Sequence, residues 1–168
     1  MTPTRALGTA LVAIVFIVLL AQVVPYGRAH VNPPDGAQTA FDSQATQDLA
    51  TRACFDCHSN RTRWPWYSSI APISWRIQHD VNEGREKLNF TAFDATGKMA
   101  DAAGESGEEV TKGEMPPKDY LLMHPEARLT PAERALLARG LGATFAAFAR
   151  EGPGGGEAGE AERGEHGD

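Results

Sequence analysis

Apolar residues are distributed in two different ways along this chain, first as a solid block and then as stripes. Residues 6–24 are apolar except for Gly8, Thr9 and Gln22. As a helix these 19 residues rise about 28 Å, close to the hydrocarbon thickness of a bilayer, so the block predicts a single membrane-spanning helix. A cleaved signal peptide is the competing reading. It calls for a shorter apolar core and small residues ahead of the cut, whereas this run leads into Val23-Val24-Pro25-Tyr26. Residues 1–25 are therefore read as an N-terminal anchor, with a signal peptide as the alternative.

Stripes at helical spacing follow. Asp42 and Ser43 are N-cap candidates, and Gln44 to Cys54 contains neither proline nor glycine, with Leu49, Ala50 and Ala53 on one side. Ile77, Val81 and Leu88, with Gly84 between them, mark a helix over 74–88. The clearest start is Thr130-Pro131-Ala132-Glu133, an N-cap threonine with proline at the first helical position and glutamate at the third. Leu137, Leu141, Phe145 and Phe148 carry that helix to about Arg150, ahead of Gly152 and Pro153. Between residues 89 and 113, Gly97, Gly104 and Gly107 interrupt the pattern, which predicts only a short, soft helix.

The segments between are punctuated by proline and glycine. Pro25, Gly27, Pro33, Pro34 and Gly36 forbid a helix or a central strand, and residues 26–41 are expected to be a linker lifting a domain off the membrane. Residues 63–73 crowd Trp64, Trp66 and Tyr67 around Pro65, ahead of Pro72, and predict an ordered loop. No period-two alternation occurs, so the fold class is all-α, one small, loop-rich helical domain over 42–150.

Charge adds little to this picture. The net charge of −6 is concentrated in residues 151–168, where six acidic side chains face only Arg163. That stretch is expected to be a disordered, solubilising tail. With no cluster of lysine and arginine, nucleic acid is not an expected partner.

The chemistry lies in Cys54-Phe55-Asp56-Cys57-His58, which holds the two cysteines of the chain. Two thiols one helical turn apart and an adjoining histidine form the attachment pattern for c-type haem, the thiols adding to the vinyl groups and the histidine reaching the iron. A zinc site needs further Cys or His ligands at matched spacing, and a thioredoxin-type pair needs a strand, turn and helix around it. Neither context is visible. A second axial ligand has candidates in Met99, Met115, Met123, His79 and His124. Met115 is preferred because Gly113-Glu114-Met115-Pro116-Pro117 presents its thioether from a stiffened loop, against the reading of a methionine filling a core gap. Met123 and His124 are the weaker alternatives. His79 lies about 200° round from Ile77 and is expected to face solvent.

These residues resemble a family, the bacterial haem-binding domains. The resemblance is carried by Pro25-Tyr26-Gly27-Arg28, Ala53 to Asn60, Trp64-Pro65-Trp66-Tyr67, Gly113 to Pro117 and His124-Pro125-Glu126-Ala127-Arg128-Leu129. It implies one covalent haem c on Cys54 and Cys57, iron held by His58 and Met115, and a fold similar to class I cytochrome c. In such folds the first and last helices cross closely, so Ala50 and Ala53 are expected to meet Gly140 or Gly142.

Six-coordinate iron with His and Met ligands suits one-electron transfer, with Trp64, Trp66 and Tyr67 expected to shield the porphyrin. The alternative is a gas sensor or peroxidase-like enzyme with an open or labile sixth site, although His79, His124 and Glu114 form no catalytic constellation. Covalent haem of this kind is attached after export in bacteria, which predicts a single-pass protein of the inner membrane with its domain in the periplasm. The expected partners are the membrane and a redox protein whose identity the sequence does not give.

Overall fold

The computed structural model describes residues 3–151, with side chains from Thr4 to Phe148. The acidic tail expected over 151–168 lies outside the described residues, apart from Glu151, which closes the last helix. Among the described residues the chain is all-helical and has no strand.

Helix α1 (Pro3–Ala21) stands clear of the rest, and its segment Thr4–Ala21 is long and apolar enough to cross a membrane, with mean hydropathy 2.2. Leu7, Leu11, Ile14, Phe16, Ile17 and Leu19 are all exposed on it. In water each such side chain forgoes roughly 1.5–3 kcal/mol of burial, so α1 presents a large apolar surface that the rest of the protein does not cover.

Helix α2 (Gln44–Ala53) begins where Ser43 Oγ accepts the Thr46 N–H at 3.2 Å. The short α3 (Phe55–His58) follows at once, and α4 (Ile73–Lys87) comes after a loop containing a 3-10 turn at Trp66–Ser69. Then come α5 (Gly97–Lys112), the single turn α6 (Tyr120–Met123) and α7 (Pro131–Glu151). The predicted capping box opens α7. Thr130 Oγ1 accepts the Glu133 N–H at 3.2 Å, and Glu133 Oε2 accepts the Thr130 N–H at 2.8 Å.

Helices α2 and α7 run antiparallel. The Asp42 N–H donates to Thr144 Oγ1 at 3.0 Å near one end, and Arg52 pairs with Glu133 at 2.6 Å near the other. That register corrects the expected crossing. Gly140 does mark it, because a Cβ there would fall inside the Thr46 side chain, but Thr46 sits one turn before Ala50. Gly142 faces open space, while Ala50 and Ala53 are buried.

Helix α5 is also more than the short, soft element expected. It is continuous over 16 residues and packs along α7. A Cβ on Gly107 would lie 2.5 Å from the Ala138 carbonyl oxygen, so this glycine is where α5 comes down onto α7. Its propensity cost, about 1 kcal/mol, is set against that packing. Between these helices Leu88, Phe90, Ala103, Val110, Leu137, Leu141 and Phe145 form the core, with Phe90 stacked on Phe55 at 5.5 Å.

Residues 26–41 form no helix, but they do not stand off the domain as a linker would. The Gly36 N–H donates to the Thr91 carbonyl at 2.8 Å, the Thr39 N–H to Phe90 at 2.8 Å, and Ala37 accepts from Phe93 at 2.7 Å. Asn32 Nδ2 donates to the Thr62 carbonyl, Asn60 Nδ2 to that of Pro34, and Arg61 pairs with Asp35. An extended, proline-rich backbone pairs none of its own polar groups, and these find partners on the domain instead.

Candidate cofactor site

The site is built where α2 stops. The Cys54 N–H still donates to Ala50 (2.8 Å), but Cys54 leaves helical geometry at φ −124°, and its carbonyl accepts the N–H groups of Cys57 (3.2 Å) and His58 (2.9 Å). The two cysteines therefore sit one turn apart on a new helix. Both are free thiols.

The residues between them are tied into the protein. Phe55 is buried in the aromatic core. The buried Asp56 carboxylate accepts the Arg63 N–H and Nε, both at 3.1 Å, through Oδ1, and Arg63 Nη2 (3.2 Å) and Tyr120 Oη (2.9 Å) through Oδ2. Its backbone carbonyl takes the Thr62 hydroxyl at 2.7 Å. With Phe55 and Asp56 held inward, Cys54, Cys57 and His58 are left partly accessible.

From the other side α4 presses on the motif. A Cβ on Gly84 would lie 2.6 Å from the Cys57 carbonyl oxygen and 3.0 Å from its carbonyl carbon, so only glycine lets the helix come this close. Burial pushes both thiols up to about 12, Cys57 further aided by the neighbouring Asp56 charge, so at neutral pH both are protonated. Among the described residues no group of three or more His, Cys, Asp or Glu gathers as a metal-ion site of the zinc type.

His58 is fixed at both ends by the segment after α4. Its backbone carbonyl accepts the Phe90 N–H at 2.8 Å, and its Nδ1 lies 3.0 Å from the Leu88 carbonyl oxygen. A carbonyl oxygen can only accept, so Nδ1 carries the proton. Burial holds the ring below its ordinary range, and at neutral pH it is uncharged with the lone pair on Nε2. This is the tautomer a metal-binding histidine needs, and the carbonyl behind it makes the ring more basic toward a metal.

Met115 arrives from the end of α5. Gly113 caps that helix in the left-handed conformation (φ 78°, ψ 20°), and the N–H groups of Glu114 and Met115 both donate to the Glu109 carbonyl, at 3.1 and 3.3 Å. Arg134 reaches across from α7, its Nη1 donating to the carbonyls of Val110 (2.7 Å) and Met115 (3.2 Å). Met115 and Cys54 pack against the same apolar core, and His58 borders it through Phe90, ring centroids 6.3 Å apart. Three of the four residues picked out by type and spacing thus border one cluster, and Cys57 sits one turn along the same short helix from Cys54.

The other candidates are engaged elsewhere or stand in solvent. His124 hydrogen-bonds Tyr67 Oη through Nε2 (2.9 Å) and Glu126 through Nδ1 (3.1 Å), and Met123 is exposed. His79 is exposed beside Glu83, and the Met99 sulfur accepts the Asp94 N–H at 3.1 Å. Trp64 stacks on His30 and Tyr67 bonds His124, both bracing the loop, while Trp66 is 77% exposed. Sequence reasoning missed Gly84, Arg134 and the Leu88 carbonyl. A glycine inside an apolar stripe is the one signal that could have pointed to any of them.

A family model described as a haem-binding domain matches residues 16–143, from within α1 to the body of α7, and so takes in both cysteines, His58 and Met115. The chain belongs to the haem-binding domain family. No curated protein and no solved structure matches it. The residues of this haem-binding domain fit its cofactor, since two free thiols one turn apart adjoin an imidazole whose Nδ1 bonds a carbonyl and whose Nε2 is left as the acceptor, beside an apolar, aromatic cluster.

Proposed function

We propose that this haem-binding domain is a monohaem c-type cytochrome that carries single electrons at the periplasmic face of a bacterial inner membrane, exchanging them with a redox protein partner. Cys54 and Cys57 would hold the haem as thioethers, and His58 and Met115 would be the axial ligands. Bound haem supplies the redox-active iron.

The protein's contribution is positional. Asp56 and Phe55 hold the motif helix, Gly84 lets α4 brace it, and the Leu88 carbonyl keeps Nε2 of His58 available. Met115, held by the Gly113 cap and Arg134, offers a thioether that favours the reduced state. Met115 packs against the apolar cluster, and His58 meets its edge at Phe90. The observation that carries this reading is that Cys54 and Cys57 sit one turn apart beside a histidine whose Nδ1 faces the Leu88 carbonyl, which leaves Nε2 as the unprotonated ring nitrogen.

Expression of the full chain in a periplasm competent for haem attachment tests the proposal. The expected result is haem that survives a denaturing gel, with low-spin ferric and ferrous spectra that carbon monoxide leaves unchanged. Met115→Ala should convert the iron to a high-spin, carbon monoxide-binding form. Haem lost on denaturation would overturn covalent attachment. Carbon monoxide binding by the unaltered protein would overturn electron carriage in favour of a sensor or enzyme with an open site.

A further inference from the structure

We propose that the domain is seated directly on the bilayer, with the loop around Ile70 and Ile73 embedded in the lipid interface beside the end of α1. The inference rests on the membrane location proposed above, with α1 as the spanning helix.

The decisive contact is made by Gln22, the residue after α1 ends. Its Nε2 donates to the Ala71 carbonyl at 2.8 Å, as well as to Val18 one turn back at 2.9 Å, and its Oε1 accepts the Ala71 N–H at 3.1 Å and Arg28 Nη2 at 2.7 Å. One side-chain amide thus pairs with both polar groups of Ala71, the way one strand pairs with another. The loop is thereby held at the depth where the apolar helix ends.

What surrounds that contact has the chemistry of an interface. Ile70 and Ile73, flanking Ala71 and Pro72, are 40% and 47% exposed, and Trp66, on the 3-10 turn before them, is 77% exposed. Val23, Val24 and Tyr26 are exposed on the chain leaving α1. Residues 64–75 contain no charged side chain, nor do residues 6–27, in a chain that is 23% charged. Tryptophan, tyrosine and serine beside isoleucine is the composition of the boundary between headgroups and acyl chains, where a charged group loses hydration and an aromatic one gains cover. A domain hanging in water on a tether has no use for an uncharged, apolar edge bonded to the end of its anchor.

The test places p-benzoylphenylalanine in turn at Val15, Ile70, Ile73 and Lys98 of the full chain, reconstituted in vesicles of phosphatidylethanolamine and phosphatidylglycerol, with lipid adducts counted by mass spectrometry after illumination. Lys98, exposed at the start of α5, is the aqueous control. The expected result is adduct formation at positions 15, 70 and 73 about tenfold or more above position 98. Adducts at 15 with 70 and 73 no better than 98 would overturn the seat and leave the span standing. No adducts at 15 would overturn the span and the seat together. Recovery of covalent haem from each variant shows that the labelled protein is folded.

Discussion

Gly84→Ala is the sharpest probe of how the fold holds its cofactor motif. In a helix interior this change alone favours folding by about 1 kcal/mol, because alanine restricts the unfolded chain and glycine does not. Here the new methyl would lie 2.6 Å from the Cys57 carbonyl oxygen and 3.1 Å from its Cβ, where ordinary contact begins at 3.4 Å. The neighbour is backbone and cannot swing aside, so α4 and the motif helix must part by roughly 0.8 Å. Overpacking of this kind costs about 1–3 kcal/mol, which leaves a net change between about zero and a loss of 2 kcal/mol after the helical gain. The displaced residue is the second thiol, next to His58, so the yield of covalent haem should fall as well. Gly104→Ala supplies the internal standard, since that position in α5 is exposed and its Cβ would meet nothing within 4 Å. It should stabilise by up to about 1 kcal/mol. Both variants and the parent, in detergent, would be unfolded in guanidinium while the haem absorption is followed, with haem per chain measured beforehand. A Gly84→Ala protein as stable as Gly104→Ala, with full haem content, would refute the claim that this glycine sets the approach of α4 to Cys57.

Two further outcomes follow from the ties that position the motif and the methionine loop. Arg134→Ala removes two donors from the carbonyls of Val110 and Met115, a loss of about 1–3 kcal/mol that falls on the loop. Its ferrous haem should therefore begin to bind carbon monoxide, and Arg134→Lys should restore part of the resistance. Glu133 is held down to about 2 by the Thr130 N–H and by Arg52, against an ordinary value of 4.5. A carboxyl depressed in the folded state stabilises above its unfolded value and loses that contribution as pH falls, so the guanidinium midpoint should drop between pH 4.5 and 2. In Glu133→Gln the midpoint should be lower at neutral pH and flatter across that window.

The elements legible in the sequence are those with local causes. Ser43 and the Thr130-to-Glu133 box cap their helices through side chains three residues away, so the starts of α2 and α7 can be read from residue type alone. Helix α5 was underestimated because the cost of Gly107 is local while its return, the approach to Ala138, comes from a segment 31 residues downstream. The course of residues 26–41 was hidden for the same reason, their hydrogen-bond partners lying at Asn60, Thr62 and Phe90 to Phe93. At the site, Cys54, Cys57, His58 and Met115 stand out by spacing and loop chemistry. Their supports do not, because Leu88 acts through a backbone carbonyl, which every residue has, and Arg134 through a contact that exists only once α5 and α7 have packed.

The bonded run from Asn32 to Thr39 ties the chain that follows α1 to the domain that holds the Cys54-to-His58 motif. If the domain is the membrane-seated carrier proposed above, it does not search a volume on the end of a string but patrols a plane, at one height and with one face turned outward, and the encounters open to it are those with partners that share the same sheet of membrane or rise to that height above it. Confinement of both reactants to a surface raises their effective concentration for each other, so such an exchange can be fast while each complex remains weak enough to separate after a single electron has passed.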